Sequence, residues 1–337
     1  MCKGIFFILI VLSALSSCIQ TIPLESVEVN KILVVNSLIT PDSLFSCEVT
    51  RVFPINDTAN HNVENATVSV YEAESEKPVC RLMHQSNGRY VGNVKPAIGI
   101  RYRIEVEADG YPKVTGETIV PNKPVINNVS FARNMGWDPL LNWSYCELKF
   151  NVEDNETFND FYEVIFSAFR KSNTDTYTNE GSTTKIQLED SIYTIQDIFG
   201  FADYTIVDPV INAEGLMQYN PSTLVFSDQL FNGATHYFNV RSYDVNGKAY
   251  VFCSYSLSEE LYKNRISFMQ HLYERGAKGI SRFDDMAGLD FTSKAVDTYS
   301  NLTGGYGIFA GYNTTLLFSK LGEHNYIEIN QTKNPYD

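Results

Sequence analysis

The sharpest chemistry in this 337-residue chain belongs to one thiol, Cys18. It closes Leu15-Ser16-Ser17-Cys18, directly after Ile5–Leu15, an apolar run of 11 residues preceded by Lys3. The run is too short to cross a bilayer as a helix, which takes about 20 residues. A positive start, a short apolar middle and a small-residue end make an export leader. A leader that ends on cysteine presents a thiol for transfer of diacylglycerol. Residues 1–17 are therefore expected to be a signal peptide and residues 18–30 a lipidated tether, in which Pro23 blocks helix. One acyl chain binds a membrane only marginally, so durable anchoring takes a second chain on the new N-terminus.

The remaining reactive residue types form no recognisable catalytic pattern. The five histidines, His61, His84, His236, His271 and His324, are scattered, and neither GxSxG nor HExxH occurs. Cys47, Cys80, Cys146 and Cys253 are far apart with no CxxC, which speaks against a zinc ribbon or a thioredoxin-like site. They read as buried thiols on strands, and two disulfides in an oxidising compartment are the alternative. Asp154, Glu156 and Asp160 offer oxygens at the short spacing of a calcium loop. They lack the glycine turn and closing glutamate of an EF-hand, so a solvated loop is the favoured reading. Asp284, Asp285 and Asp290 read the same way. No catalytic residue, metal site or cofactor is expected. Trp137 and Trp143 frame a loop-like stretch, GWDPLLNWS. They are the candidate ligand-binding residues, as a stacking platform for a glycan, although cover for a domain junction is the preferred explanation. The glycines of Gly304-Gly305-Tyr306-Gly307-Ile308-Phe309-Ala310-Gly311 lack the GxxxxGK[ST] pattern of a phosphate loop. They suit a strand that packs closely or bulges.

The elements that position these residues are mostly strands. Tyr and Phe number 21 each, and hydrophobic residues make up 44%. Both favour a β-rich body with real cores. Strands are expected at 31–40, 46–53, 66–72, 79–83, 89–94, 101–107 and 114–120, with Asn87-Gly88 as a hairpin turn and Asp109-Gly110 as another. Pro121-Asn122-Lys123-Pro124 is the best linker. Beyond it, strands are expected at 125–133, 145–153, 161–171, 224–226, 235–243 and 248–257. One helix is expected at about 258–275, capped by Ser256 with Glu259, with Tyr262, Ile266, Met269 and Tyr273 on a core-facing stripe. The fold class is therefore mainly β. A first sandwich of transthyretin or immunoglobulin type spans 31–121. A second β domain of fibronectin type III kind spans 125–337, with an insertion at about 172–220. The net charge of −14 argues against nucleic acid as a partner.

With these elements in place, the chain resembles the domain of unknown function 4249 family of the Bacteroidetes. The likeness lies in Lys31–Thr40, in Asn65–Pro121 with its Val68-Ser69-Val70-Tyr71, Gly88-Arg89-Tyr90 and Gly110-Tyr111, and in the tail. There Tyr262–Tyr273 is followed by Tyr299-Ser300-Asn301-Leu302 and Gly305-Tyr306-Gly307-Ile308-Phe309. The resemblance implies an outer-membrane lipoprotein encoded near TonB-dependent receptors, and it implies no activity. The expected function is a non-enzymatic envelope lipoprotein, anchored through Cys18, that assists nutrient uptake by binding a receptor or a glycan or peptide substrate. A surface adhesin is the alternative and a hydrolase the third reading. Ile19-Gln20-Thr21-Ile22 lacks the acidic cluster that marks surface export, so the membrane face stays open.

Overall fold

The computed structural model describes residues 31–54, 58–139, 142–155, 159–171, 185–188, 191–197, 208–213, 223–243, 249–274, 297–319 and 326–332. The expected leader, Cys18 and the expected tether therefore lie outside the described residues. So do Glu156, Asp284, Asp285, Asp290, His324 and most of the insertion at 172–220.

Alternating burial builds a first sandwich from β1 (Leu33–Ile39), β2 (Ser46–Arg51), β3 (Thr67–Glu72), β4 (Cys80–Ser86), β5 (Arg89–Val91), β6 (Arg101–Glu107) and β7 (Val114–Ile119). In β6, Tyr102, Ile104 and Val106 point inward and their neighbours outward, the period of two that a half-buried strand requires. One sheet runs β1-β2-β5-β4 and the facing one β4-β3-β6-β7. Leu33, Val49, Val70, Tyr90 and Ile104 are among the residues that fill the core between them. The expected hairpin is present. Asn87 and Gly88 take φ of 49° and 71°, as a two-residue turn between twisted strands demands.

The second sandwich holds β8 (Val125–Asp138), β9 (Trp143–Glu153), β10 (Phe161–Lys171), β11 (Lys185–Leu188), β12 (Ser191–Asp197), β13 (Leu224–Ser227), β14 (Thr235–Tyr243), β15 (Ala249–Leu257), β16 (Gly305–Ser319) and β17 (Tyr326–Gln331). The sheet β8-β9-β14 faces the sheet β16-β15-β10-β13. That is the connectivity of a fibronectin type III sandwich. β17 adds to the free edge of β8, and β11 and β12 extend β10 within the insertion. The core is aromatic, with Phe131, Phe150, Phe166, Phe226 and Phe252 fully buried. β8 runs past its expected end at Arg133. Two bulges absorb the mismatch, with Asn128 and Asn134 at φ of 54° and 53°. Asparagine tolerates the left-handed region better than most residues do.

β16 belongs to both sandwiches. Gly305–Gly311 pairs parallel with β1, and Tyr312–Phe318 pairs antiparallel with β15. Its glycines make this crossing possible. A Cβ on Gly307 would strike the Val35 carbonyl oxygen, and one on Gly311 the Ile119 carbonyl oxygen. Asn301 fastens the approach. Its Nδ2 donates to the Glu117 and Phe309 carbonyls at 2.8 Å, and its Oδ1 accepts from Phe309 N–H at 3.0 Å. The connector after β7 is pinned to the same strand, because Asn313 Nδ2 donates to Pro121 O and Thr315 Oγ1 to Pro124 O.

The long helix Glu259–Glu274 covers the junction. Its cap is Ser258 rather than Ser256, which belongs to β15. Ser258 Oγ accepts from Leu261 N–H at 3.3 Å. Leu261, Tyr262, Ile266 and Met269 pack with Ile308 and Ala310 of β16 and Val225 of β13, so the apolar stripe is a core face. Arg265 reaches back to the buried Glu163 of β10 at 3.2 Å, and Thr118 Oγ1 of β7 donates to Glu260 at 3.0 Å. A short helix, Pro209–Ala213, packs beside β13.

Candidate functional site

Three carboxylates meet at the end of the second sandwich that abuts the first. β9 ends one residue before Asp154, β10 begins one residue after Asp160, and β13 ends one residue before Asp228. Antiparallel pairing of β10 with β13 carries Asp160 beside Asp228. Asp228 N–H donates to Asp160 O at 3.0 Å, and Asp160 N–H donates to Asp228 Oδ2 at 2.9 Å. Asp154 is oriented by Tyr162, whose hydroxyl donates to Oδ1 at 2.8 Å, and by Gly233 N–H, which donates to Oδ2 at 2.9 Å. One oxygen from each of the three acids lies within 4.8 Å of the others. Asp228 is 1% exposed, and among the described residues its Oδ1 has no donor.

The electrostatics follow from this crowding. Burial, then the neighbouring Asp154 and Asp228, push Asp160 up to about 7. Burial also raises Asp228, and burial with the bond to Asp154 raises the Tyr162 phenol. Asp160 lines a cleft of about 390 Å³ between the sandwiches, with Arg101 and Ile119 on one side and Asn159 and Phe161 on the other. The solvated loop expected for Asp154 and Asp160 is thus a half-buried acidic cluster. Spacing had brought out Asp154 and Asp160. Asp228 was missed, because only the β10–β13 register brings it there.

Trp137 and Trp143 lie elsewhere. They stand where β8 ends and β9 begins, at the tip of that ribbon, with Trp137 opposite Ser144 and Asp138 opposite Trp143. β8 starts at the junction and runs away from it, so the tip sits on the order of 30–40 Å from the first sandwich at the rise of a strand. Trp137 therefore does not cover the junction. Trp137 is 58% exposed, beside exposed Met135. Tyr145 packs over Gly136, and the Arg241 guanidinium lies 4.9 Å from the Tyr145 ring centre. The Trp143 side chain is outside the described set.

Among the histidines, His236 Nε2 lies 3.0 Å from Asp208 Oδ2, a pairing of the kind a hydrolase uses. The ring is wedged between Phe231 and Phe238 at the core. His61 stacks on Phe53, His84 tilts against Tyr90, and His271 sits in the last turn of the long helix. The four thiols form no disulfide. Burial raises Cys47 to about 12 and Cys253 to about 11, which disfavours the reactive thiolate.

Residues 19–316 match the family model described as Domain of unknown function (DUF4249). The chain belongs to the DUF4249 family. The match takes in the first sandwich, the long helix and most of the second sandwich, and ends within the shared strand, before β17. No curated protein matches the chain. Among solved structures it is similar to the crystal structure of chicken CNTN1 FN1-FN3 domains, at 11% identity and a TM-score of 0.26. That likeness covers 66% of this chain, and the chain spans 59% of that structure's length.

Proposed function

We propose that this DUF4249 protein is a non-enzymatic, lipid-anchored lipoprotein of the outer membrane, accessory to a TonB-dependent nutrient-uptake system, which it serves by binding the receptor or its substrate. The observation that carries this reading is the placement of its two ends. β1 runs parallel to β16, which continues into the second sandwich, so Leu33 marks the end remote from that sandwich. The tether leading back to Cys18 therefore leaves from one end of the molecule. The exposed Trp137 ribbon tip lies at the other. An anchored stalk with an aromatic tip suits capture of a partner away from the bilayer. Exposed tryptophan supplies large contact area at low entropic cost, whether against a protein surface or a sugar ring.

The test is co-purification from native membranes in mild detergent. The wild-type chain is expected to fractionate with the outer membrane and to retain a TonB-dependent receptor. Cys18→Ala should release it from the membrane. Trp137→Ala should leave it anchored and folded while reducing receptor or substrate capture at least about tenfold, the scale of an aromatic hot spot. A wild-type protein that retains no receptor would overturn the transport role. Unaltered capture by Trp137→Ala would overturn the tip as the binding end.

A further inference from the structure

We propose that Asp154, Asp160 and Asp228 form a binding site for a hard divalent cation, with calcium a better fit than magnesium. The proposal does not depend on the membrane role. It begins with convergence, one oxygen from each of three carboxylates within 4.8 Å of the others. Surface acids often crowd without consequence, so a separate observation decides. Asp228 is 1% exposed, and among the described residues its Oδ1 has no hydrogen-bond donor. Buried carboxylate oxygens are ordinarily satisfied by donors or by a metal. Among the described residues, no lysine, arginine or histidine pairs with any of the three acids. Any compensating positive charge at this site would therefore come from outside the described side chains.

The donor set selects the ion. Every candidate ligand atom is oxygen, which suits calcium and magnesium and disfavours the softer metals that prefer imidazole or thiolate. Magnesium demands a near-ideal octahedron, keeps several waters and usually takes one or two carboxylates. Calcium accepts six to eight oxygens in looser arrangements. Here three carboxylates arrive from two separate connections, β9–β10 and β13–β14. Asp154 is held in place by Tyr162 and Gly233, and Asp228 by the Asp160 amide. A preset frame of this kind lowers the ordering cost of binding. A bound cation would stitch the two connections together beside the cleft that Asp160 shares with Arg101 and Ile119.

The experiment uses the full-length chain in mild detergent, stripped with EDTA and titrated with terbium as a luminescent stand-in for calcium. Tyr162, whose hydroxyl is 2.8 Å from Asp154 Oδ1, is placed to sensitise the ion. Expected are saturable tyrosine-excited emission and its displacement by calcium at roughly 10⁻⁴ to 10⁻³ M, the range of extracellular calcium modules. Affinity should fall at least tenfold in Asp160→Asn and in Asp228→Asn. Calcium should raise the melting temperature of the wild type and not of Asp160→Asn. No saturable emission from the wild type, or no displacement by millimolar calcium, would overturn the site. So would Asp160→Asn with a native circular dichroism spectrum and wild-type affinity. Magnesium displacing terbium as well as calcium does would overturn the choice of ion. Asp160 is only half-buried, so its variant decides the matter even if Asp228→Asn fails to fold.

Discussion

Asp160 keeps its proton towards neutral pH because partial burial, and then the neighbouring Asp154 and Asp228, disfavour its charge. A carboxyl raised in the native state from 3.8 to about 7 binds its proton more tightly folded than unfolded. Its contribution is therefore fully present below pH 3.8 and is lost as pH rises towards 7. In cation-free buffer, Asp160→Asn should stabilise the protein at pH 8 by about 1 kcal/mol, a figure discounted for partial solvent screening. The gain should vanish by pH 4, and chemical denaturation at the two pH values checks both. Asn301 is a residue of the opposite kind, fully engaged and with no charge at stake. Its amide closes three backbone bonds across the start of β16. Asn301→Ala should cost about 1–3 kcal/mol, because it strands Phe309 and Glu117 backbone groups. Urea denaturation measures that loss.

The long helix acts through its ends and its inner face. Ser258 caps its first turn and also ties to β16, since Gly311 N–H donates to Ser258 Oγ and Ser258 N–H donates to Gly311 O. Ser258→Ala should cost about 1 kcal/mol from the cap alone. Further along, Glu163 is 3% exposed and depends on Arg265 and Thr223. Arg265→Ala leaves that carboxylate buried with the Thr223 hydroxyl as its one remaining partner among the described residues. Breaking a buried pair from one side costs up to about 3–5 kcal/mol. Arg265 is itself well exposed, so the lower end of that range is expected in a thermal melt. Replacing both partners, as in Glu163→Gln with Arg265→Met, should recover part of the loss. A double-mutant cycle reads that recovery directly.

For the molecule as a whole, the shared strand makes the two sandwiches one cooperative unit. β16 gives seven residues to pairing with β1 and seven to β15, and the helix cluster packs against the same strand. Calorimetry should therefore show a single unfolding transition. Two well-separated transitions would contradict this coupling. Gly311→Val should lower stability in both halves together, because a side chain there meets the Ile119 backbone rather than a pliable neighbour. Probes in the first core and in the second, such as tryptophan or cysteine labels, should report the same midpoint.

Most of the strands, the Asn87-Gly88 hairpin and the long helix were legible in the sequence. Each rests on local signals: alternation, turn residues that tolerate positive φ, and apolar spacing along one helix face. The tail glycines and Asn301 stood out as a pattern without a role, since the Val35, Glu117 and Ile119 backbone groups they meet are distant in the chain. β8 overran its expected end because two asparagine bulges keep a ribbon paired where periodicity breaks. The acidic cluster was half-visible. Asp154 and Asp160 are near neighbours in sequence, whereas Asp228 reaches them only through strand pairing. Local pattern alone is enough to place most of the strands, because alternation and turn residues act within a few positions, while β11, β12 and β17 go unread in the sequence. That one strand serves two cores, and that three separated carboxylates share one corner, emerges in the folded chain alone, because inter-strand register is set by packing between residues far apart in sequence.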